Sequence, residues 1–210
     1  VDYRGGPPIT GVILAGGSNR RMGGKMKALL SINGELFIER QLAVLSTICN
    51  EILIITNEPA MFEQQLSWSQ ANVRIIRDHQ PGNGPLAGVQ AAMAAAYYDE
   101  LWVVACDMPF ISSVAAEMLL KLRRSRGEEG YDAAIPQLKS RLQPLHAIYH
   151  RRCQSAIDEL LAAEQYRVMG LLERLEYIKA EDSFFMEKGV PLNFAENVNT
   201  PEEFNRLERS

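Results

Sequence analysis

Val12-Ile13-Leu14-Ala15 is an unbroken apolar run, and it opens straight into Gly16-Gly17-Ser18-Asn19-Arg20-Arg21-Met22-Gly23-Gly24-Lys25-Met26-Lys27. A short continuous apolar run ending in glycines predicts a strand buried on both faces of a parallel sheet, which exits through a loop at its carboxyl end. Ligands of open α/β sheets bind at that end. The two glycine pairs let backbone N–H groups close on an anion, and Arg20, Arg21, Lys25 and Lys27 offer positive charge to a triphosphate. The competing reading of the same residues is a Gly-rich strand exit with solvated basic side chains.

Working outward, Ile52-Leu53-Ile54-Ile55 and Trp102-Val103-Val104-Ala105-Cys106 repeat the buried-strand pattern, and Val73, Ile75 and Ile76 suggest a further strand. Between these runs the period becomes helical: Ile38, Leu42, Leu45 and Cys49, then an alanine-rich helix from Leu86 to Tyr98, then Ala115, Met118, Leu119 and Leu122. Strand-helix alternation of this kind predicts a doubly wound, mostly parallel, Rossmann-like α/β fold. Strands at Ala133–Pro136 and Leu145–Tyr149 and a helix through Ala156, Leu160 and Ala163 follow less regularly, and we expect an antiparallel edge there. Thr200-Pro201-Glu202-Glu203 carries an N-cap threonine, a first-turn proline and a capping-box glutamate, so a short helix starts at its proline. Arg123 to Gly130 reads as a solvated loop.

The 210 residues, with 47% hydrophobic, 23% charged, 15 Gly and 10 Pro, fit a globular protein and exclude disordered, collagenous and disulfide-scaffold classes. We expect residues 1–10, which include Gly5-Gly6-Pro7-Pro8, to be a leader or cloning remnant, and residues 11–210 to form a single domain. A net charge of −4 argues against nucleic acid and membrane surfaces as partners. Cys49, Cys106 and Cys153 lie far apart without a CxxC pair, as in a cytoplasmic protein with reduced thiols. Cys106 precedes Asp107 but ends an apolar strand, which predicts an inert thiol. His146 and His150 would share a strand face without a third metal ligand, so a structural or surface role is expected.

Spacing excludes two familiar phosphate loops. A Walker loop needs GxxxxGK[ST], but Asn19 stands at its first glycine and Met26 replaces its hydroxyl; the dinucleotide fingerprint GxGxxG is not supplied by Gly16-Gly17-Ser18. Asp107, just beyond the Trp102 strand, can reach a hard cation that bridges nucleotide phosphates, or can serve as a turn or N-cap residue before Pro109. Asp78 has the same two readings. Gly84-Pro85-Leu86-Ala87-Gly88 opens a helix whose N–H groups favour an anion, or whose Gly88 allows tight packing.

Leu14-Ala15-Gly16-Gly17, Arg21-Met22-Gly23-Gly24 and Lys27-Ala28-Leu29-Leu30 together resemble the loop of molybdenum cofactor guanylyltransferases, within the nucleotide-diphospho-sugar transferase-like fold. The resemblance continues through Asn57, Asp78, Gly84–Gly88, Cys106-Asp107-Met108-Pro109 and Asn197-Val198-Asn199-Thr200-Pro201, so it covers residues 11 to about 207. It implies that Leu14, Ala15 and Gly16 lie against guanine, with Gly17 beside them, and that Arg21, Gly24 and Lys27 surround the phosphates. Asn57 and Asp78 would complete the nucleotide pocket, and Asp107 would hold Mg2+, making Arg21, Lys27 and Asp107 the catalytic set. Gly84, Gly88, Asn197 and Asn199 would meet the pterin-bearing substrate. The implied reaction moves GMP from GTP to molybdopterin carrying molybdenum, with accessory proteins of cofactor biosynthesis as partners. Where that pattern has an aspartate before the loop lysine, this chain has Met26. Rival readings are a cytidylyltransferase of the same fold and a non-catalytic nucleotide-binding regulatory module.

Overall fold

The computed structural model describes residues 8–16, 27–32, 34–65, 72–78, 84–127 and 129–208. In chain order, β1 (Ile9–Leu14) is followed by a 3-10 turn at Lys27–Leu29 and a hairpin of β2 (Ser31–Ile32) and β3 (Glu35–Leu36). Next come α1 (Phe37–Leu45), β4 (Glu51–Thr56), α2 (Pro59–Gln65), β5 (Val73–Arg77), α3 (Gly84–Ala95), β6 (Glu100–Ala105) and α4 (Ser113–Arg123). The chain closes with β7 (Ala133–Leu138), β8 (Arg141–Leu142), β9 (His146–His150), α5 (Gln154–Ala162), α6 (Val168–Leu172), β10 (Tyr177–Glu181), α7 (Asp182–Met186) and α8 (Pro201–Glu208).

An eight-stranded sheet runs β10-β7-β9-β6-β1-β4-β5, with β8 hydrogen-bonded to β7. β1 pairs parallel with β4 on one side and β6 on the other. The chain winds outward from β1 through β4 to β5, then crosses back to β6, so the strand order reverses beside β1. That reversal opens a crevice at the carboxyl ends of β1 and β6. Every residue of β1, β4 and β6 is buried, as their continuous apolar runs require.

Alternating side chains divide the core between the two faces. Ile13, Ile54, Trp102, Val104 and Ile148 pack against Ile38 and Leu42 of α1, Leu119 of α4 and Phe185 of α7. Val12, Leu14, Leu53, Val103 and Ala147 pack against Leu86 and Val89 of α3, Ile157 of α5 and Leu171 of α6. The doubly wound expectation is met, with two corrections. Antiparallel pairing is not confined to an edge: β9 runs antiparallel between β6 and β7, the short β8 pairs antiparallel with β7 alone, and the edge strand β10 runs parallel to β7. The apolar residues Ala147, Ile148 and Tyr149 of β9 are buried, which is why it belongs inside. Residues 1–7 of the expected leader lie outside the described residues, but Ile9 and Thr10 belong to β1, where the buried Thr10 hydroxyl donates to Glu51 Oε2 at 2.8 Å.

The amino ends of the central strands are tied by buried acids. Glu51 also accepts from Arg74 and from the Tyr97 amide, and Glu100 Oε1 accepts from Arg123 Nη2 at 2.5 Å and Arg124 Nε at 3.0 Å. Arg123 is therefore no part of a solvated loop: only 4% exposed, it also donates to the carbonyls of Glu129 and Tyr131 and so clamps the turn after α4. A hollow of about 760 Å3 opens here, lined by Tyr97, Glu100, Arg123, Arg124 and Arg152 among others. It is larger than the crevice at the opposite end, yet its arginines are committed to Glu100, Asp132 and main-chain carbonyls. This end holds the sheet together.

Candidate active site

The crevice between β1 and β6 encloses about 220 Å3 and is lined by Leu14, Gly16, Ile55, Asp78, Gly84, Pro85, Gly88, Ala105, Cys106, Asp107, Leu145 and Asn197. Leu14, Gly16, Asp78, Gly84, Gly88, Asp107 and Asn197 were each singled out from the sequence, and five separate chain segments deliver them to one place. Tight packing forms the floor. A Cβ at Gly88 would stand 3.1 Å from Leu14 Cδ2, so glycine lets α3 approach the end of β1 this closely without displacing the leucine. Gly84 starts α3 at φ +69, in the left-handed region, with the Tyr166 carbonyl oxygen 3.2 Å from where its Cβ would be. At both glycines the packing reading holds while the residue also faces the crevice.

On one wall, Asp78 is 7% exposed and its amide donates to Thr56 O at the end of β4. Its Oδ2 would be 3.4 Å from a Cβ at Gly16, so the carboxylate packs directly against the strand exit. On the other wall, Asp107 sits in the turn after β6. It is not a helix cap, since Ser112 accepts from Ala115 N and takes that role for α4. Lys27 Nζ lies 3.0 Å from Asp107 Oδ2 and 2.5 Å from Asn199 Oδ1. One ammonium thus joins the end of the Gly-rich stretch, the turn after β6 and the closing Asn-Val-Asn segment.

That segment is held by its own chemistry. Val198 N donates to Asp107 O at 2.7 Å, Thr200 Oγ1 accepts from Glu203 N, and Glu203 Oε2 accepts from Asn199 N at 2.6 Å. The threonine cap is as expected, while the glutamate reaches one residue further back than a standard capping box. Beneath it Phe204 stacks on Phe37 and Phe110 and anchors α8. Asn199 is therefore set on the lysine side of the site, while Asn197 lines the crevice itself.

Other expected residues fare differently. Gly17, Arg21 and Gly24 lie outside the described residues. Asn57 follows β4 but does not line the crevice. Ala15 N donates to Ile55 O and Leu14 O accepts from Cys106 N, so both groups serve the sheet and leave the base edge to other donors and acceptors. Cys106 is buried and its thiol is pushed up to about 12 by burial and by Asp107, in keeping with an inert cysteine. The site motifs do not include Gln41 of α1, although a polar residue between Ile38 and Leu45 on an apolar helical stripe is a visible signal. Its Nε2 donates to Ala105 O and Met108 O, on either side of Asp107.

His146 is structural, as expected. It packs against Trp102 and Phe194 with no hydrogen bond to either ring nitrogen among the described residues, and burial pushes it down to about 3. The folded protein keeps this ring neutral, whereas the unfolded chain takes up a proton below about pH 6.5. Its contribution is complete above pH 6.5 and is lost as pH falls toward 3, at about 1.4 kcal/mol per unit. Urea unfolding at pH 7 and pH 4.5 should show a stability drop about 2 to 3 kcal/mol larger for the parent than for His146→Leu. Parallel pH profiles would contradict this.

Among the described residues no three His, Cys, Asp or Glu side chains could cage a metal. The oxygen donors present still suit Mg2+, which takes one or two carboxylates and fills its shell with substrate phosphates and water. A crevice at the strand-order reversal, with a lysine and carboxylates at its rim, defines a nucleotide-binding α/β protein of the nucleotidyltransferase kind.

Residues 11–178 match the model of the MobA-like NTP transferase domain, and the chain belongs to that family. A probable molybdenum cofactor guanylyltransferase of Pelotomaculum thermopropionicum is 38% identical over 91% of this chain and 88% of its own length. The crystal structure of molybdopterin-guanine dinucleotide biosynthesis protein A from Archaeoglobus fulgidus superposes with a TM-score of 0.75 at 26% identity, covering 95% of this chain and 97% of that one. The fold extends to 4-diphosphocytidyl-2C-methyl-D-erythritol synthase of Anaerococcus prevotii, with a TM-score of 0.73 at 14% identity, covering 97% of this chain and 95% of that one.

Proposed function

We infer that this chain is a molybdenum cofactor guanylyltransferase: it transfers GMP from GTP to the terminal phosphate of molybdopterin carrying molybdenum and releases pyrophosphate. The observation that carries this is the assembly of Gly16, Asp78, Asp107 and Asn197 in one crevice, with Lys27 bonded to Asp107 and Asn199, in a chain of this family.

An oxygen of the acceptor phosphate attacks the α-phosphorus of GTP in line. A new P–O bond forms, the bond from the α-phosphorus to the bridging oxygen breaks, and its electron pair leaves with pyrophosphate. Lys27, 15% exposed at the crevice rim, offers its ammonium to the phosphates and leaves Asp107 as they arrive. Asp107 is the carboxylate for Mg2+, which supplies charge neutralisation on the triphosphate when bound. Arg21 and the backbone of Gly17 and Gly24 belong to the phosphate side on the family's pattern. Asp78, an acceptor-only group packed beside Gly16, suits the N–H and O–H donors of the nucleoside, and Asn57 belongs to the nucleotide side on the family's pattern. Gly84, Gly88, Asn197 and Asn199 remain the pterin side, with Asn199 bonded to Lys27. Three buried thiols suit a cytoplasmic enzyme, and accessory proteins of cofactor biosynthesis would hand over the pterin.

Purified protein given molybdenum-molybdopterin, Mg2+ and one of GTP, ATP or CTP tests the reading. GTP should support dinucleotide formation with a lead of roughly fivefold to 150-fold for each hydrogen bond that the wrong base leaves unpaired, at about 1 to 3 kcal/mol apiece. A lead for CTP moves the assignment to a cytidylyltransferase. Nucleotide binding without product leaves a regulatory module.

A further inference from the structure

We propose that Gln41 is a positioning residue for Asp107: its amide clamps the turn that carries the carboxylate, and so sets the affinity of the site for the divalent cation. Gln41 is fully buried on α1. Nε2 donates to Ala105 O at 2.8 Å and to Met108 O at 2.9 Å, and Ala105 O also accepts from Met108 N at 3.2 Å. One primary amide therefore bridges both ends of the four-residue turn in which Asp107 is held. From the opposite side, Val198 N fixes the Asp107 carbonyl.

The amide is an odd choice for stability alone. Its oxygen, Oε1, is buried with no hydrogen-bond partner among the described residues. Leaving an interior acceptor unpaired is unfavourable, and a methionine of similar length would remove that deficit. The useful part of the side chain is the –NH2 group, whose two protons both go to the Asp107 turn. Both partners are carbonyl oxygens, so the amide can sit only this way round. α1 is a rigid element lodged in the core, and its hold on the turn converts helix packing into a fixed place for the carboxylate.

The proposal rests on Asp107 as the cation ligand, and the experiment separates the two. Mn2+ binding to the whole protein is measured by electron paramagnetic resonance with the α,β-methylene analogue of GTP, for the parent, Gln41→Met, Gln41→Glu and Asp107→Asn, beside thermal melts. Removing a hydrogen-bonding partner that orients a ligand typically weakens metal binding about tenfold to a hundredfold, and Gln41→Met should lose Mn2+ affinity by at least the lower figure. Its half-saturating Mg2+ in turnover should rise by the same factor, while metal-free binding of the analogue and the melting temperature stay near the parent values. Gln41→Glu should fall between, because a buried carboxyl group holding its proton donates one hydrogen bond instead of two.

Mn2+ affinity of Gln41→Met within twofold of the parent, with Asp107→Asn clearly weakened, overturns the role of Gln41 and leaves that of Asp107 standing. Unchanged binding in Asp107→Asn removes the metal reading and this proposal with it. Failure of both Gln41 variants to fold, or a metal loss that follows the melting temperature, assigns Gln41 to the core and likewise overturns the proposal.

Discussion

Asp107→Asn should lower the rate of guanine dinucleotide formation by about a hundredfold or more at saturating GTP and Mg2+, the loss typical of one oriented electrostatic contributor near 3 kcal/mol. The substitution keeps the shape of a side chain that is only 15% exposed, and an amide oxygen can still accept from Lys27. The backbone contacts of the turn, Val198 N to Asp107 O and Met108 N to Ala105 O, do not involve the carboxylate. The fold should therefore survive, with melting within a few degrees of the parent. What disappears is the negative charge, which a hard cation needs and an amide does not supply. Initial rates of product formation measure the effect, and a rate within a few-fold of the parent removes Asp107 from the reaction.

Arg123→Met should destabilise the protein by about 3 to 5 kcal/mol while leaving turnover per folded molecule unchanged. Glu100 is buried, and its Oε2 has no hydrogen-bond partner among the described residues. Oε1 depends on Arg123 and Arg124, of which Arg123 is the more buried. Without Arg123 a carboxylate stays in the interior with half its compensation, and the carbonyls of Glu129 and Tyr131 lose a shared donor. Urea unfolding reads the stability, and rates normalised to folded protein read the chemistry. Because these groups stand at the amino ends of the strands, opposite the crevice, a fall in kcat at equal folded concentration would contradict the division between a structural and a chemical end. Stability within 1 kcal/mol of the parent would show that Arg124 suffices.

Much of the site was legible because its chemistry is local. Strand ends carry ligands in this class of fold, so the residues just after Leu14, Thr56, Arg77 and Ala105 could be named from apolar runs alone. Of these, Gly16, Asp78 and Asp107 share one crevice, where Gly84, Gly88 and Asn197, supplied by the family resemblance, join them. Less legible was what each contributes. Leu14 O and Ala15 N are spent within the backbone network, and Asn199 faces Lys27, 172 residues away in sequence. Gln41 acts across 64 and 67 residues, and nothing in the spacing of α1 says which loop its amide will meet.

Apolar period and helix-capping residues, read along the chain, determined the α/β class, the central strands and the capped final helix, because burial on both faces and helix capping are imposed by near neighbours. Tertiary structure alone decided that β9 lies antiparallel inside the sheet, that the alternating Tyr177–Glu181 becomes a parallel edge, and that Arg123 is an interior clamp. Each of these depends on pairing between segments far apart in sequence. A strand's own side chains state which faces are buried but not which neighbour supplies its hydrogen bonds, and a charge next to glycines shows no partner until the fold brings one to it.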